Sequence, residues 1–192
     1  MAKDRHQQYP WDGSPREFES WNRDHSLASA FQYSVVPVYQ EIARSIGQEQ
    51  MKKLLVKFNY GNQEIGGNID SFWLDGGLRI SALEQIGFLQ RLYFRELPVS
   101  VNVQEELIAI MKNEFDHGTL RAKTGWARAG QPHIGWWVGW IERGENAHFF
   151  ALNMNISSQN DLALRQKISL NILQFEGVIP KSQDQTSKCF SF

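Results

Sequence analysis

Apolar positions along this chain change their period at residue 119. Ahead of it they recur at helical spacing. Val38, Ile42 and Ile46 do so in SVVPVYQEIARSIG, and Met51, Leu54, Leu55 and Phe58 share a face in QEQMKKLLVKF. Pro37 stands where the first of these helices starts, and Gly47 stops it. SALEQIGFLQRLY predicts a third helix. Ser81 and Glu84 have capping-box spacing there, and Leu83, Ile86, Phe88, Leu89 and Leu92 form its buried stripe. Residues 101–112 predict a fourth. From 119 the period is two. Strands over 119–126, 133–142 and 147–156 fit an antiparallel meander, with RGEN turning between the last two.

Residues NDLALRQKISLNILQFEG then predict a helix opened by Asn160 or Asp161 and closed by Gly177, with Leu164, Ile168 and Ile172 packed inward. The first thirty residues read as loop and short turns punctuated by Pro10, Gly13 and Pro15. A Gly- and Asn-rich stretch with aromatics, NYGNQEIGGNIDSFWLDGGLRI, is a loop of a length that tends to carry function. The elements add up to an α/β fold with an antiparallel sheet flanked by helices. One domain is expected over residues 1–180, followed by a polar tail, 181–192, of disordered composition.

A length of 192 residues at 42% hydrophobic supports one domain with a sizeable core. Twenty basic against 21 acidic residues leave a net charge of -1 and no polyelectrolyte face, which argues against a nucleic-acid partner. A single cysteine, Cys189, allows no internal disulfide. No apolar run approaches the ~20 residues that span a bilayer, and the N-terminus shows no secretory signal pattern. The five histidines have no zinc-ligand spacing and read as solvated or polar-network residues. Gly61, Gly66 and Gly67 lack the strand-to-helix setting of a dinucleotide fingerprint.

Three short motifs carry candidate chemistry. SVV, Ser34 to Val36, stands immediately before a helix. YGN, Tyr60 to Asn62, opens the long loop that runs on to FWLDG. KTG, Lys123 to Gly125, lies on the first strand of the meander. Lys and Gly are poor strand residues, so propensity does not select them. Gly lets a ligand approach the backbone, and Lys supplies a positive charge. Read alone, KTG is a solvated strand end, Ser34 an N-cap, Trp73 a core residue, YGN a turn and Arg165 a surface residue.

In this order, with the flanks WNRDH, FWLDGGLRIS, RAKTGW, GWWVGWIE, FFALNMNI and LALRQKI, the motifs resemble the class D, oxacillinase-type serine β-lactamases over about residues 9–180. The resemblance implies a serine β-lactamase and penicillin-binding transpeptidase-like fold, a β-lactam substrate and, for full-length members, a periplasmic location. It implies a nucleophilic Ser with a Lys one helical turn on, that Lys carrying a CO2-derived carbamate as base. Ser34 would relay a proton, Val36 and Leu74 would line the carbamate pocket, and Trp73 would hydrogen-bond the carbamate. Lys123, Thr124 and Arg165 would bind the substrate carboxylate, Gly125 would admit the lactam, and the backbone N–H of Trp126 would be half of an oxyanion hole. Tyr60, Gly61 and Asn62 would stay structural.

One part of the pattern is missing: no Ser in the chain has a Lys three positions on. The expectation is therefore of a chain truncated at its N-terminus, lacking nucleophile, base Lys and carbamate, and inactive as it stands. A β-lactam-sensing receptor fragment and a non-catalytic remnant are the alternatives, and oligomeric state is left open. Such a sheet should have an unpaired edge and an uncovered apolar face, with GWWVGW and HFFALNM as the aggregating segments.

Overall fold

The computed structural model describes residues 4–128 and 131–181. In chain order the elements are β1 (Gln8–Tyr9), β2 (His25–Ser26), α1 (Leu27–Gln32), α2 (Val36–Ile46), α3 (Gln48–Phe58), α4 (Ala82–Tyr93), α5 (Val101–Ile110), β3 (Lys112–Asn113), β4 (Thr119–Ala127), β5 (His133–Arg143), β6 (Asn146–Ile156) and α6 (Leu164–Phe175). β1 pairs with β2, and β3 to β6 form one antiparallel sheet in sequence order. No helix among the described residues is long and apolar enough to cross a membrane.

Strand alternation sends alternate residues to opposite faces of the sheet. Leu120, Ala122, Trp137, Ile141 and Phe150 pack with Leu173 of α6 and with Ile179. Trp140, Val138 and Phe149 pack on the other face with Leu89 and Leu92 of α4 and Ile108 of α5. Trp140 is fully buried, with Tyr93 edge-on at 5.8 Å between ring centroids. GWWVGW thus lies at the centre of the sheet, covered on both faces, and not on the exposed face expected of it. HFFALNM lies on β6, which has no neighbouring strand on its far side among the described residues.

The predicted meander holds within a residue at each end. Arg143 pairs with Asn146, so the turn is Gly144 and Glu145, and Gly144 takes the φ of 58° that a tight hairpin favours. Elsewhere the structure departs from the sequence pattern. The first thirty residues hold the β1–β2 ladder and α1, which opens with a capping box between Ser26 and Ser29. Buried His25 accepts or donates at both ring nitrogens, to the Ser29 hydroxyl and the Ser20 carbonyl, and burial pushes its pKa down. The helix expected over 101–112 stops at Ile110, because Lys112 and Asn113 pair with Arg121 and Leu120 as β3. Leu83 is 81% exposed, since the buried face of α4 runs through Gln85, Leu89 and Leu92.

The largest departure is in α6. A 3-10 turn over Gln159–Ala163, capped by Ser158 with Asp161 as its reciprocal partner, precedes the helix, so neither Asn160 nor Asp161 is the cap. The inward face is Arg165, Ser169 and Leu173, one residue round from the expected Leu164, Ile168 and Ile172, all of which are exposed. Gly177 ends the helix region at φ 73°. The expected polar tail falls on 181–192, of which all but Lys181 lies outside the described residues.

Two polar side chains fasten the connecting loops. Gln104, 1% exposed, donates to the carbonyls of Leu97 and Val99, both at 3.1 Å, and accepts from the Leu97 N–H. Asn62 ties the two ends of the 59–80 loop: its amide donates to the Gly77 carbonyl at 3.0 Å and its carbonyl accepts from the Arg79 N–H at 2.9 Å. Gly61, at φ 53°, passes so close to Arg79 that a Cβ would lie 2.1 Å from its carbonyl oxygen. The Tyr60 hydroxyl donates to Gln85 at 2.7 Å, which locks the loop to α4, and burial raises its pKa to about 12.

Leu164, Ile168, Ile172 and Phe175 form an exposed apolar stripe along α6. The native chain should therefore bind a hydrophobic dye. Ile168→Lys combined with Ile172→Lys should reduce that binding while changing stability by no more than about 0.5 kcal/mol per site. A large fall in thermal midpoint would show that these side chains are core after all.

Candidate active site

The β4 strand crosses from the sheet core to a polar corner at Lys123, Thr124 and Gly125. On one side stands the junction between α1 and α2, where Ser34 sits. On the other, α6 delivers Arg165 from its buried face. Every described lysine except Lys123 is exposed. Lys123 Nζ donates to the Ser34 hydroxyl and to the Thr124 carbonyl at 2.8 Å, lies 3.5 Å from Thr124 Oγ1, and sits 5.6 Å over the Phe31 ring. Burial, with the Arg165 charge added to it, lowers its pKa to about 8.

Arg165 is 5% exposed, not the surface residue that its place on a helix suggested. It donates to the Gly125 carbonyl at 2.6 Å and the Leu162 carbonyl at 2.7 Å, and burial lowers its pKa. Neither cation has a carboxylate partner among the described residues. A buried and a half-buried positive charge with neutral partners only make an electropositive corner, the arrangement that binds an anion.

Two glycines let the corner close. A Cβ on Gly125 would lie 3.3 Å from Trp136 Cβ. One on Gly135, opposite Trp126 in the ladder, would lie 2.8 Å from Arg165 Cδ. Beyond Gly125, the Trp126 ring has Arg128 at 4.6 Å and His133 at 5.9 Å, and its indole N–H is buried without a partner among the described residues. Arg128 makes a two-pronged bond to Glu17, which pins the end of β4 to the N-terminal segment.

Ser34 has φ 52°, a left-handed conformation that costs a non-glycine residue about 1–2 kcal/mol. Bonds on either side impose it: Ser34 N–H donates to the Phe31 carbonyl at 3.2 Å and Val35 N–H to Ala30 at 2.9 Å. Ser34 does not cap α2 as its position suggested. The N-cap is Val35, no side chain caps it, and Pro37 occupies the first turn. The Val36 N–H has no hydrogen-bond partner among the described residues. Strain held at a side chain aimed at a half-buried lysine is characteristic of functional sites.

The remaining expected residues lie apart. Trp73 packs edge-on against Phe72 at 5.0 Å, in the loop cluster with Leu55 and Ile65. No hydrogen bond or ring contact joins Trp73 or Leu74 to Ser34 or Lys123. Gln40 and Arg44 of α2 hold this loop by its Asp70 carbonyl and carboxylate, respectively. The lysine of the corner is committed to Ser34 and Thr124, so the residues present do not assemble a carbamate beside Trp73. Sequence reasoning also missed Phe31 beneath the Lys123 ammonium and the free Val36 N–H. Nothing in their spacing signals either, because both depend on how α1 meets α2.

Two outcomes follow from this geometry. Ser34→Gly should be more stable than Ser34→Ala by about 1 kcal/mol, since both lose the hydroxyl but only glycine tolerates the backbone angle. Equal denaturant midpoints would mean that the site is unstrained. For Lys123, the folded pKa of about 8 lies below the ordinary 10.5. Its contribution is full above 10.5 and is lost as pH falls towards 8, amounting to up to about 3 kcal/mol. Between pH 8 and 10, below the range where buried Tyr39 and Tyr60 start to oppose it, the unmodified chain should gain stability relative to Lys123→Met. A flat difference would place the ammonium in solvent.

The penicillin-binding-protein transpeptidase domain family matches residues 1–174. The β-lactamase OXA-48 of Klebsiella pneumoniae is 51% identical over 181 residues, covering 94% of this chain and 68% of that protein. Two solved structures superpose closely. The class D β-lactamase FUS-1 (OXA-85) of Fusobacterium nucleatum subsp. polymorphum has a TM-score of 0.88 at 40% identity, over 92% of this chain and 74% of that one. The class D β-lactamase YbXI from Nostoc has a TM-score of 0.87 at 41% identity, over 91% and 74%. With helices on both faces of the same antiparallel sheet, the chain belongs to the class D, oxacillinase-type β-lactamase family.

Proposed function

We propose that the corner formed by Lys123, Thr124, Gly125 and Arg165 recognises β-lactams by their carboxylate. The observation that carries this reading is a half-buried cation, Lys123, beside a buried one, Arg165, without an acidic partner among the described residues. A bound carboxylate would supply the missing negative charge and restore the Lys123 pKa towards its ordinary value. Arg165 is already held by the Gly125 and Leu162 carbonyls, so its ordering is complete before a ligand arrives. The lactam would lie along the Gly125 backbone, where no side chain intervenes, with its carbonyl towards the Trp126 N–H. In this reading Ser34 moves a proton within the site and Val36 contributes apolar lining, while Trp73 and Leu74 stay in the separate loop cluster.

Hydrolysis at the rate of a class D enzyme is not proposed. No Ser in the chain is followed three positions later by Lys, so the family's nucleophile and base have no counterpart among these residues. The site binds and orients. The reading carries the family's periplasmic compartment with it.

Titration calorimetry with a penicillin tests this. Lys123→Ala and Arg165→Ala should each weaken binding by about tenfold or more, the loss of one charge-assisted bond. The double variant should lose less than the sum, because both groups hold one carboxylate. Binding should also weaken as pH rises through about 8, where Lys123 loses its charge. Affinity unchanged in both single variants would sink the proposal.

A further inference from the structure

Ser34 has no lysine one helical turn on, yet it has one through space: Lys123, 89 positions along the chain, donates directly to its hydroxyl. We propose that Ser34 and Lys123 form a serine–lysine dyad that accepts acyl and phosphonyl groups from uncharged activated esters. This is a reactivity distinct from carboxylate recognition at the same corner.

The geometry supports it on four counts. The amine and the hydroxyl are in hydrogen-bond contact, so once Lys123 is neutral the Ser34 O–H need only rotate to donate to it and pass its proton. Ser34 sits on a sharp left-handed turn between two helices, and its hydroxyl meets Lys123 of β4 instead of capping α2, as in a nucleophile on a strained elbow. The uncapped N-terminus of α2 begins two residues on, and its free Val36 N–H offers a donor for developing negative charge. The surroundings also keep the amine neutral more easily than water would. The facing groups are the Phe31 ring from α1, the Ser34 hydroxyl, Thr124 on its own strand, Val138 opposite it on β5, and the Arg165 guanidinium from α6. No carboxylate is among them, and Arg165 disfavours a second positive charge.

In the reaction, the neutral Lys123 amine takes the proton of the Ser34 hydroxyl as Oγ attacks the carbonyl carbon of the ester. The C–O bond to the alcohol breaks, and the ammonium returns the proton to the departing oxygen. With an alkyl fluorophosphonate, Oγ attacks phosphorus, the P–F bond breaks, fluoride leaves, and the proton stays on Lys123. A carboxylate in the corner would hold Lys123 as ammonium and so remove the base. Penicillin should therefore act as an inhibitor of this reaction and not as its acyl donor. That coupling alone rests on the β-lactam reading; the dyad does not.

The test is labelling of the full chain with an alkyl fluorophosphonate, read by intact mass and then by tandem mass spectrometry. One phosphonyl group should appear, on Ser34, at a rate that rises as Lys123 deprotonates around pH 8. Ser34→Ala should remove the label. Lys123→Met should slow labelling by about 100-fold or more, the usual contribution of a positioned base. The dyad is overturned by an absent label, by a label elsewhere, by an undiminished rate in Lys123→Met, or by an equal rate in urea-denatured chain. Should Lys123→Met lose its circular dichroism, the pH profile of the unmodified chain decides, and a rate flat across the Lys123 titration overturns the proposal. Labelling of Ser34 that penicillin fails to slow would count against carboxylate recognition and leave the dyad standing.

Discussion

The polar corner depends on one buried guanidinium. Arg165 reaches from α6 to the Gly125 carbonyl of β4 and the Leu162 carbonyl of the preceding turn, and these two bonds set how α6 lies on the sheet. Burying a charge on neutral partners alone is costly. The fold accepts that cost and arranges itself around it. Gly135 must be glycine because Arg165 Cδ and the Ile156 side chain occupy the space of its Cβ. Lys123, on the neighbouring stretch of β4, feels the charge and is easier to deprotonate for it. Replacing Arg165 by an apolar residue would relieve the desolvation but remove the link between the strand that carries KTG and the helix that covers it.

A second constraint converges on the same place from the N-terminal side. Helix α1 ends two residues before Ser34, and α2 begins two residues after it, so the chain must change direction in a very short span. The left-handed angle at Ser34 is the consequence, and Lys123 is the group that its side chain meets. Neither helix needs a hydroxyl there for its own stability, since α2 has no side-chain cap. Structure alone would favour glycine at that position. The presence of serine is better explained by what its oxygen touches.

Much of this was legible in the residues, and the part that was not has a physical pattern. The meander could be read from alternation because its last two strands are joined by the short turn at Gly144, which fixes their register. The Ser81–Glu84 box marked α4 because capping is a local interaction. The Ser34–Lys123 contact spans 89 positions, and only the resemblance placed those two residues together; no spacing rule could. The burial of His25, which read only as a solvated or polar-network residue, and of Gln104 was not legible for a related reason. Their burial is supported by backbone carbonyls that come into reach only once the loops have closed.

The misreading of α6 shows what amphipathic periodicity can and cannot decide. Leu164, Ile168 and Ile172 recur at the right interval for a buried face, and a pattern argument selects them over a face that contains an arginine and a serine. Yet the helix turns that polar face inward, because Arg165 and Ser169 find partners there: the Gly125 carbonyl for one and the Arg165 carbonyl for the other. Leu173, with the partly buried Leu170, supplies enough apolar contact with the sheet to hold the helix down. Periodicity reports that a helix has two unlike faces. Which of them is buried depends on whether the polar one can be satisfied. In this chain a guanidinium satisfied by two carbonyls settles the choice, and it leaves the apolar stripe of α6 facing outward.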